Sequence, residues 1–226
     1  MRAFNKLPAQ FTNDSVKAYY DILSKRNGSI ILKRAFDIIV SLIMLVILII
    51  PIIIVSVCIK FNSPGPVFFR QKRVTKYGKV FRIFKFRTMV VNAESLGSMV
   101  TTKGDSRVTK IGKTLRKYRL DELPQIFNVI TGDMSFVGTR PEVKKYVDLY
   151  KDEYYATLLL PAGITSYTSI MYKDEDKLLA SADDADEVYI NNILPEKMKY
   201  NLEYTKDFGF WYDIKIMFKT VKEVIS

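Results

Sequence analysis

The feature that most constrains this chain is an uncharged apolar stretch at residues 38–59. Only Ser41, Pro51 and Ser56 interrupt its run of apolar side chains. As a straight helix, ~22 residues with a rise of ~1.5 Å each would extend ~33 Å, which is enough to cross the core of a bilayer. A soluble helix of this length normally has a polar face. The stretch therefore predicts a membrane helix rather than the central helix of a large soluble core.

Basic residues flank this stretch on both sides, with Lys33 and Arg34 before it and Lys60 after it. Because Lys and Arg flanks stay in the cytoplasm, a spanning helix would place one of these clusters on the wrong side. Pro51 predicts a kink that leaves arms of about 13 and 8 residues, each too short to cross ~30 Å. We therefore expect a re-entrant helix broken at Pro51, which enters and leaves a single leaflet. A Pro-kinked spanning helix is the alternative.

Composition narrows the chemistry that the chain can perform. Cys58 is the single cysteine and there is no histidine, which excludes an intrachain disulfide, a Ser-His-Asp triad and an HExxH zinc site. Catalysis must then use carboxylates, Lys, Arg, Tyr, Ser or Thr, with a hard cation such as Mg²⁺ where one is needed.

Charge is distributed unevenly along the chain, whose net charge is +11. Residues 1–119 contain 23 Lys or Arg and 5 Asp or Glu, whereas residues 120–226 contain 12 and 19. A basic half around a membrane segment favours anionic lipid headgroups or phosphate-bearing substrates as partners. Nucleic acid is the other usual partner of a basic protein, but the apolar stretch makes it a weaker hypothesis.

Periodicity and turn residues predict the remaining elements. An N-terminal helix capped by Asn13 has an apolar side and is expected to end at Gly28, either packed on the domain or lying on the membrane surface. Strands at 67–74 and 80–89 should form a hairpin with Gly78 in its turn. The next predicted elements are helices at 90–99, 109–118, 125–130 and 148–155, a strand at 134–137, and a helix–loop–helix surface at 173–187. Helices at 194–204 and 211–225 are expected to be amphipathic.

Two adjacent carboxylates, Asp121 and Glu122, follow a basic helix that carries Arg116 and, just after it, Arg119. Cations of this kind should keep Asp121 ionised and hold a phosphate beside it. A carboxylate can attack phosphorus to form an acyl phosphate, and a pair of carboxylates can hold Mg²⁺. Acidic residues before Leu-Pro are also typical of an ordinary helix N-terminus, so the residues alone leave both interpretations open.

Several consecutive motifs of the chain resemble those of one known family. They are KRAFDIIVS at 33–41, SPGPVFFRQKRV at 63–74, GKVFRIFKFRTM at 78–89 and GDSRVTKIGKTLRKYRLDELPQIFNVITGDMSFVGTRP at 104–141. Together they cover about half of the chain and closely resemble the bacterial sugar transferases, the monotopic phosphoglycosyl transferases that use a polyprenyl phosphate acceptor. PAGITS and DIKIMFKT in the tail resemble the family more loosely.

The resemblance implies an enzyme that moves a sugar-1-phosphate from a UDP-sugar to undecaprenyl phosphate and releases UMP. It implies that Asp121 attacks the β-phosphate and forms a covalent intermediate, with Glu122 as its partner and Mg²⁺ bound at this dyad. It also assigns substrate binding to four basic residues: Arg116, Arg140, Lys85 and Arg87. The expected location is the cytoplasmic face of a bacterial inner membrane, where the product starts a surface glycan. The family also uses a re-entrant helix.

The sequence departs from the family pattern in three places. The helix break is Ile50-Pro51 rather than Ser-Pro, the turn before Pro141 reads G-T-R-P rather than G-P-R-P, and Ala162 replaces a usual proline. Residues 166–204 also differ from the family's usual segment, which affects the sugar specificity more than the chemistry.

We therefore predict an α+β, mainly helical protein. It comprises an amphipathic segment at 1–37, a re-entrant membrane helix at 38–59 and a cytosolic catalytic domain at 60–226 that has a β-hairpin and interfacial helices. A homo-oligomer is compatible with this sequence. Two other functions compete with the transferase: a non-enzymatic scaffold that binds anionic lipid, and a membrane-tethered nucleic-acid binder, for which no known motif appears.

Overall fold

The computed structural model describes residues 1–93, 105–172 and 185–225. Helix α1, Asp14–Ser24, begins where the sequence predicts, because the Asn13 side chain accepts a hydrogen bond of 2.8 Å from the Val16 amide. Val16 and Leu23 are fully buried, so α1 is a packing helix of the core. Its predicted end at Gly28 is wrong, since the helix stops at Ser24 and Gly28 lies in the next one.

Helix α2, Asn27–Asn62, contains the whole apolar stretch and begins well before it. Pro51 lies inside α2, and a break there stays a prediction. Within the described residues, α2 is the one helix that is long and apolar enough to cross a membrane, on length and composition alone.

One stripe of α2 packs on the rest of the protein along almost its whole length. Phe36, Val40 and Met44 pack against the main core. Ile52 and Ile59 are buried further along, in a second cluster with Phe86 and Leu115. The opposite side of the helix exposes large apolar residues, among them Ile43, Val46, Ile47, Ile50 and Ile54. The helix therefore packs one face on the rest of the described chain and exposes large apolar side chains on the other.

The predicted hairpin is confirmed, although its strands are short. Strands β2 (Lys72–Val74) and β3 (Val80–Arg82) are antiparallel, with Arg73 opposite Phe81. Gly78 in the turn has φ +75°, a left-handed conformation that glycine adopts easily. Beyond this pair, β1 (Phe68–Phe69) pairs with β4 (Lys85–Phe86).

The middle of the chain alternates short helices with one parallel strand pair. Helix α3 (Lys110–Lys117) begins at its cap Thr109, and α4 (Ile126–Thr131) ends at Gly132 in the left-handed region, as predicted. Strand β5 (Met134–Val137) is confirmed and pairs in parallel with β6 (Ala162–Thr165). All four residues of β5 are buried.

Between these strands the chain forms α5 (Lys144–Val147) and a 3₁₀ helix at Asp152–Leu158. The single helix predicted at 148–155 is therefore wrong. The chain instead forms two short helical segments that each bury apolar residues, Tyr146 and Val147 in the first and Ala156 and Leu158 in the second.

The C-terminal part is helical. It comprises α6 (Tyr167–Met171), α7 (Ala185–Val188), a π-helical turn (Tyr189–Ile193), α8 (Leu194–Asp207) and α9 (Phe210–Ile225), which confirms the last two predicted helices. Phe208 is fully buried, whereas Trp211 and Phe218 are exposed. Most of the helix predicted at 90–99 and of the surface predicted at 173–187 lies outside the described residues. The fold is thus mainly helical with small sheets.

Candidate active site

The dyad lies on a 3₁₀ helix, Leu120–Gln125, which directly precedes α4. Arg119, in the left-handed region with φ +53°, turns the chain between α3 and this short helix. Pro124 and Gln125 are buried behind the dyad. The backbone therefore reverses direction just before Asp121 and Glu122 and is fixed by buried residues just after them.

Glu122 lies between two cations brought from distant parts of the chain. Its Oε1 accepts hydrogen bonds from Lys85 Nζ at 2.8 Å and from an Arg140 guanidinium nitrogen at 2.9 Å. Burial raises the pKa of Glu122, but the charges of Arg140 and Lys85 and their hydrogen bonds outweigh it and hold this pKa well below its usual range. Glu122 is therefore ionised at neutral pH and joins the hairpin to the Arg140 turn.

Asp121 has a different environment from its neighbour. Burial raises the pKa of Asp121, and the nearby Glu122 charge adds to that effect. Lys85 and Arg116 lower this pKa, Arg116 as the sequence predicts, but burial together with the Glu122 charge outweighs them. The two carboxylates are thus pushed in opposite directions, a pattern typical of paired acids with different roles.

The structure brings all four predicted basic residues to this cleft, in different ways. Lys85 and Arg140 bind Glu122 directly. Arg116 donates from Nε to the Thr88 hydroxyl at 2.9 Å. Arg87 is buried and donates to the Ser63 and Pro64 carbonyls at 2.8 and 2.6 Å, so it braces the turn that follows α2. Substrate binding by these residues stays a prediction.

The cleft that contains the dyad has a volume of about 670 Å³. Its walls combine charged and apolar side chains, the latter including Phe68, Phe69, Phe86 and Met89. Such a mixed cleft is large enough for a small-molecule substrate and is typical of ligand sites. The cleft can therefore hold a ligand that has both charged and apolar parts.

Arg73 also lines this cleft, although the sequence identified it only as one of several cations on the hairpin. Its guanidinium donates to Gln71 Oε1 and to the Pro141 carbonyl at 3.2 Å, next to Arg140. Because side chains alternate along a strand, Gln71 and Arg73 lie on one face. This alternation was the one signal in the sequence that could have related Arg73 to the cleft. That this face meets Pro141 depends on the tertiary fold.

A buried polar network supports the Arg140 turn from behind. Glu142 lies 3.7 Å from Arg73 and accepts a hydrogen bond from the Tyr189 hydroxyl, to which Lys197 Nζ also donates at 3.1 Å. Arg140, Glu142 and Lys197 also line a small cavity of about 20 Å³. The segment after residue 185 therefore contributes to the rigidity of the turn, which no sequence motif indicated.

The carboxylates of the dyad suit Mg²⁺ only if the substrate supplies further ligands. Among the described residues, no three Asp, Glu or Cys side chains lie close enough together to form a metal site. The dyad offers two adjacent carboxylates, and Mg²⁺ typically binds one or two carboxylates together with substrate phosphates and water. Asp121, whose anion is disfavoured by burial, is the kind of group that a cation would stabilise. The residues present thus fit a metal that is shared with a phosphate-bearing ligand.

A family model described as bacterial sugar transferase matches residues 28–226, nearly the whole chain. The chain belongs to the bacterial sugar transferase family. This membership confirms the resemblance that the sequence motifs indicated.

Related members of the family act on several sugars, according to their names. The UDP-N-acetylgalactosamine-undecaprenyl-phosphate N-acetylgalactosaminephosphotransferase of Aeromonas hydrophila is 38% identical over 198 residues, 86% of this chain and 44% of that protein. The UDP-glucose:undecaprenyl-phosphate glucose-1-phosphate transferase of Escherichia coli is 35% identical over 195 residues, 84% of this chain and 39% of that protein. The undecaprenyl-phosphate galactose phosphotransferase of Salmonella typhimurium is 34% identical over 218 residues, 90% of this chain and 42% of that protein. The chain spans less than half the length of these curated relatives.

Proposed function

We propose that this chain is a phosphoglycosyl transferase that moves a sugar-1-phosphate from a UDP-sugar to undecaprenyl phosphate and releases UMP. The observation that carries this proposal is the dyad itself, two adjacent carboxylates in a cationic cleft beside an apolar helix, of which Glu122 is held by Lys85 and Arg140. Membership of the family supports the same reaction class. The product would initiate a surface glycan.

The reaction that fits this geometry has two steps. An Asp121 carboxylate oxygen attacks the β-phosphorus of the donor, and the bond from that phosphorus to the bridging oxygen breaks, so UMP leaves with the electron pair. A phosphate oxygen of the lipid acceptor then attacks the same phosphorus and releases Asp121 unchanged. A covalent intermediate lets a water-soluble donor and a lipid acceptor use one site in turn.

The cations of the cleft have an electrostatic role in both steps. Arg140, Lys85 and Arg116 offset the negative charge that develops on the phosphoryl oxygens in the transition state. Mg²⁺, when bound at Asp121 and Glu122, would add further charge neutralisation at the diphosphate. Glu122 stays ionised and keeps Lys85 and Arg140 aimed at the phosphate.

We further propose that α2 is re-entrant and that the catalytic domain lies on the cytoplasmic face of the inner membrane. The packing of α2 supports this placement, because residues near both of its ends and in its middle contact the same domain. A helix that crossed the bilayer would carry one of its ends away from that domain. A bend at Pro51 would let the exposed apolar side enter a single leaflet.

Two of the cations that flank the apolar stretch are bound inside the protein. Lys33 is buried and paired with Asp213, and Arg34 donates to backbone carbonyls, so these two cations are not a simple solvent-facing flank. The proposal now rests on the packing of α2 rather than on positive charge at both flanks. Exposed Trp211 and Phe218 on α9 suit contact with the interface, and exposed basic residues suit anionic headgroups.

The test is UMP release from a panel of UDP-N-acetylgalactosamine, UDP-glucose and UDP-galactose, with undecaprenyl phosphate and Mg²⁺. We expect release with at least one donor and its loss in Asp121→Asn. Asp133→Asn is a suitable control, because Asp133 pairs with exposed Lys79 rather than with a cation of the dyad. Full activity of Asp121→Asn would exclude the assigned nucleophile. Salt-sensitive liposome binding without UMP release would instead favour the scaffold.

A further inference from the structure

Three charged residues of α2 bind the catalytic domain at its core. Lys33 and Asp37 are 5% and 3% exposed, and Arg34 is half-buried. Charged side chains are rarely buried without specific partners, and here each partner is known. All three lie just before the apolar stretch, on the part of α2 that joins the membrane segment to the domain.

Arg34 binds the segment that carries the dyad. We define the dyad arm as the 3₁₀ helix Leu120–Gln125 together with α4, Ile126–Thr131. The Arg34 guanidinium donates to the Val129 and Ile130 carbonyls at 2.6 and 2.9 Å. The last carbonyls of a helix lack intrahelical partners, so a guanidinium at this end fixes the helix in place.

Asp37 and Lys33 bind the segment that carries Arg140. We define the arginine arm as β5, Met134–Val137, together with the turn at 138–140. The Asp37 carboxylate accepts a hydrogen bond of 3.2 Å from the Phe136 amide, and Lys33 Nζ donates to the Val137 carbonyl at 2.7 Å. These contacts lie a few residues before Arg140, on a strand that is buried throughout.

The two arms contact each other at the active site, where Arg140 binds Glu122. One helix therefore fixes both arms at one end, and the Arg140–Glu122 ion pair joins them at the other. A shift of either arm relative to α2 would change the Arg140–Glu122 geometry. Misplacement by ~1 Å can cost about 100-fold in rate, so contacts far from the chemistry still matter.

We propose that Arg34 and Asp37 are positioning residues that set the geometry of the active site through these two arms. Through them, the position of α2 relative to the two arms affects the rate of the reaction. Lys33 contributes as well, but Asp213 and Tyr204 complete its buried cluster, so removing Lys33 would leave an unpaired buried carboxylate. Arg34 and Asp37 are the cleaner test positions.

The matched control is Arg26, which also lies at the start of α2. Its guanidinium donates to the Lys206 and Phe208 carbonyls, so it makes the same kind of contact as Arg34 but to the end of α8. Arg26→Gln therefore removes an equivalent bond without touching either arm. Asp37→Asn is the conservative variant, since an amide oxygen can still accept from the Phe136 amide, whereas Asp37→Leu cannot.

The first readout rests on the proposed function and measures UMP release in detergent micelles, per folded protein, with the three-donor panel. We expect Arg34→Gln and Asp37→Leu to lower kcat by roughly 10- to 100-fold with the donor KM changed by less than about threefold. Arg26→Gln and Asp37→Asn should stay within about twofold of the unmodified chain. Equal losses in Arg34→Gln and Arg26→Gln would overturn the proposal.

The second readout needs no donor and measures amide hydrogen exchange in the full chain. Arg34→Gln should speed exchange in residues 120–131, Asp37→Leu in residues 134–140, and Arg26→Gln in neither. Unchanged exchange in both arms would overturn the proposal. If the unmodified chain releases no UMP from any of the three donors, the proposed function is wrong, and the exchange data still decide the positioning role.

Discussion

The guanidinium of Arg140 and the carboxylate of Glu122 lie 2.9 Å apart, with Lys85 on the same carboxylate oxygen. These three residues come from the β5 turn, the dyad helix and the hairpin, so one partly buried anion joins three elements of the fold. A buried ion pair is sensitive to the loss of one partner, because the remaining charges are left uncompensated. Glu122 is therefore a structural centre of the cleft as well as a member of the dyad.

Removing the charge of Glu122 should weaken both activity and stability. Glu122→Gln keeps a hydrogen-bond acceptor but leaves Lys85 and Arg140 without their anion, and we expect kcat/KM to fall by about 100-fold. Because the folded-state pKa of Glu122 is depressed, its contribution to stability is present above the unfolded pKa and is lost as the pH falls. Thermal unfolding should thus show the variant less stable at neutral pH and nearly equal in acid. If Glu122→Gln were as stable as the unmodified chain at neutral pH, this prediction would be wrong.

Removing the charge of Asp121 should instead raise the stability of the protein at neutral pH. Burial raises its pKa in the folded state, so the ionised form destabilises the protein above that pKa, and the effect disappears below the unfolded value of about 3.9. Asp121→Asn is therefore expected to be inactive but more stable than the unmodified chain at neutral pH. The comparison uses melting curves at neutral pH and in acid without added Mg²⁺. A lower Tm at neutral pH would show that the cations, rather than burial, dominate at this site.

The backbone of β6 approaches the turn before Arg140 so closely that glycine is required there. A Cβ on Gly163 would lie 2.1 Å from the Gly138 amide nitrogen, and neither backbone can move without shifting a buried strand. We expect Gly163→Ala to cost roughly 2–4 kcal/mol and to lower Tm by roughly 5–15 °C, with activity lost in parallel.

Gly28→Ala is the matched control for that substitution, since no atom lies within 4 Å of its Cβ position and the residue is in helix α2. This change should raise stability by up to ~1 kcal/mol through helix propensity. Destabilisation by both variants would show that the close approach at Gly163 is not the cause.

The re-entrant topology predicts that both ends of α2 are exposed on the same side of the membrane. In a Cys58→Ser background, Lys25→Cys and Lys72→Cys place single thiols at exposed positions before and after the helix. A membrane-impermeant maleimide should label neither in intact cells and both after the inner membrane is opened. Val46→Cys, on the exposed apolar side, should resist the reagent in both cases. Labelling of only one end in intact cells would establish a spanning helix.

The elements with strong local signals could be predicted from the sequence. Asn13 and Thr109 begin their helices with side-chain caps, and Gly78 and Gly132 adopt the positive φ that glycine tolerates. These outcomes depend on a few neighbouring residues, which is why they can be inferred from the order of the chain. The sequence offered Asp121 and Glu122 as a candidate dyad because they follow a basic helix, and the resemblance to the family added Arg140.

What the sequence determined by itself was thus most of the local elements and the family to which the chain belongs, and it offered candidate residues for the site. Only the tertiary structure decided that Lys33 and Arg34 bind the catalytic domain, that Arg87 braces a turn, and that burial outweighs the cations around Asp121. Each of these depends on contacts between residues far apart in the chain. Burial and pairing of a charge are properties of the packed core, so they follow from what surrounds a residue in space rather than from its neighbours in the sequence.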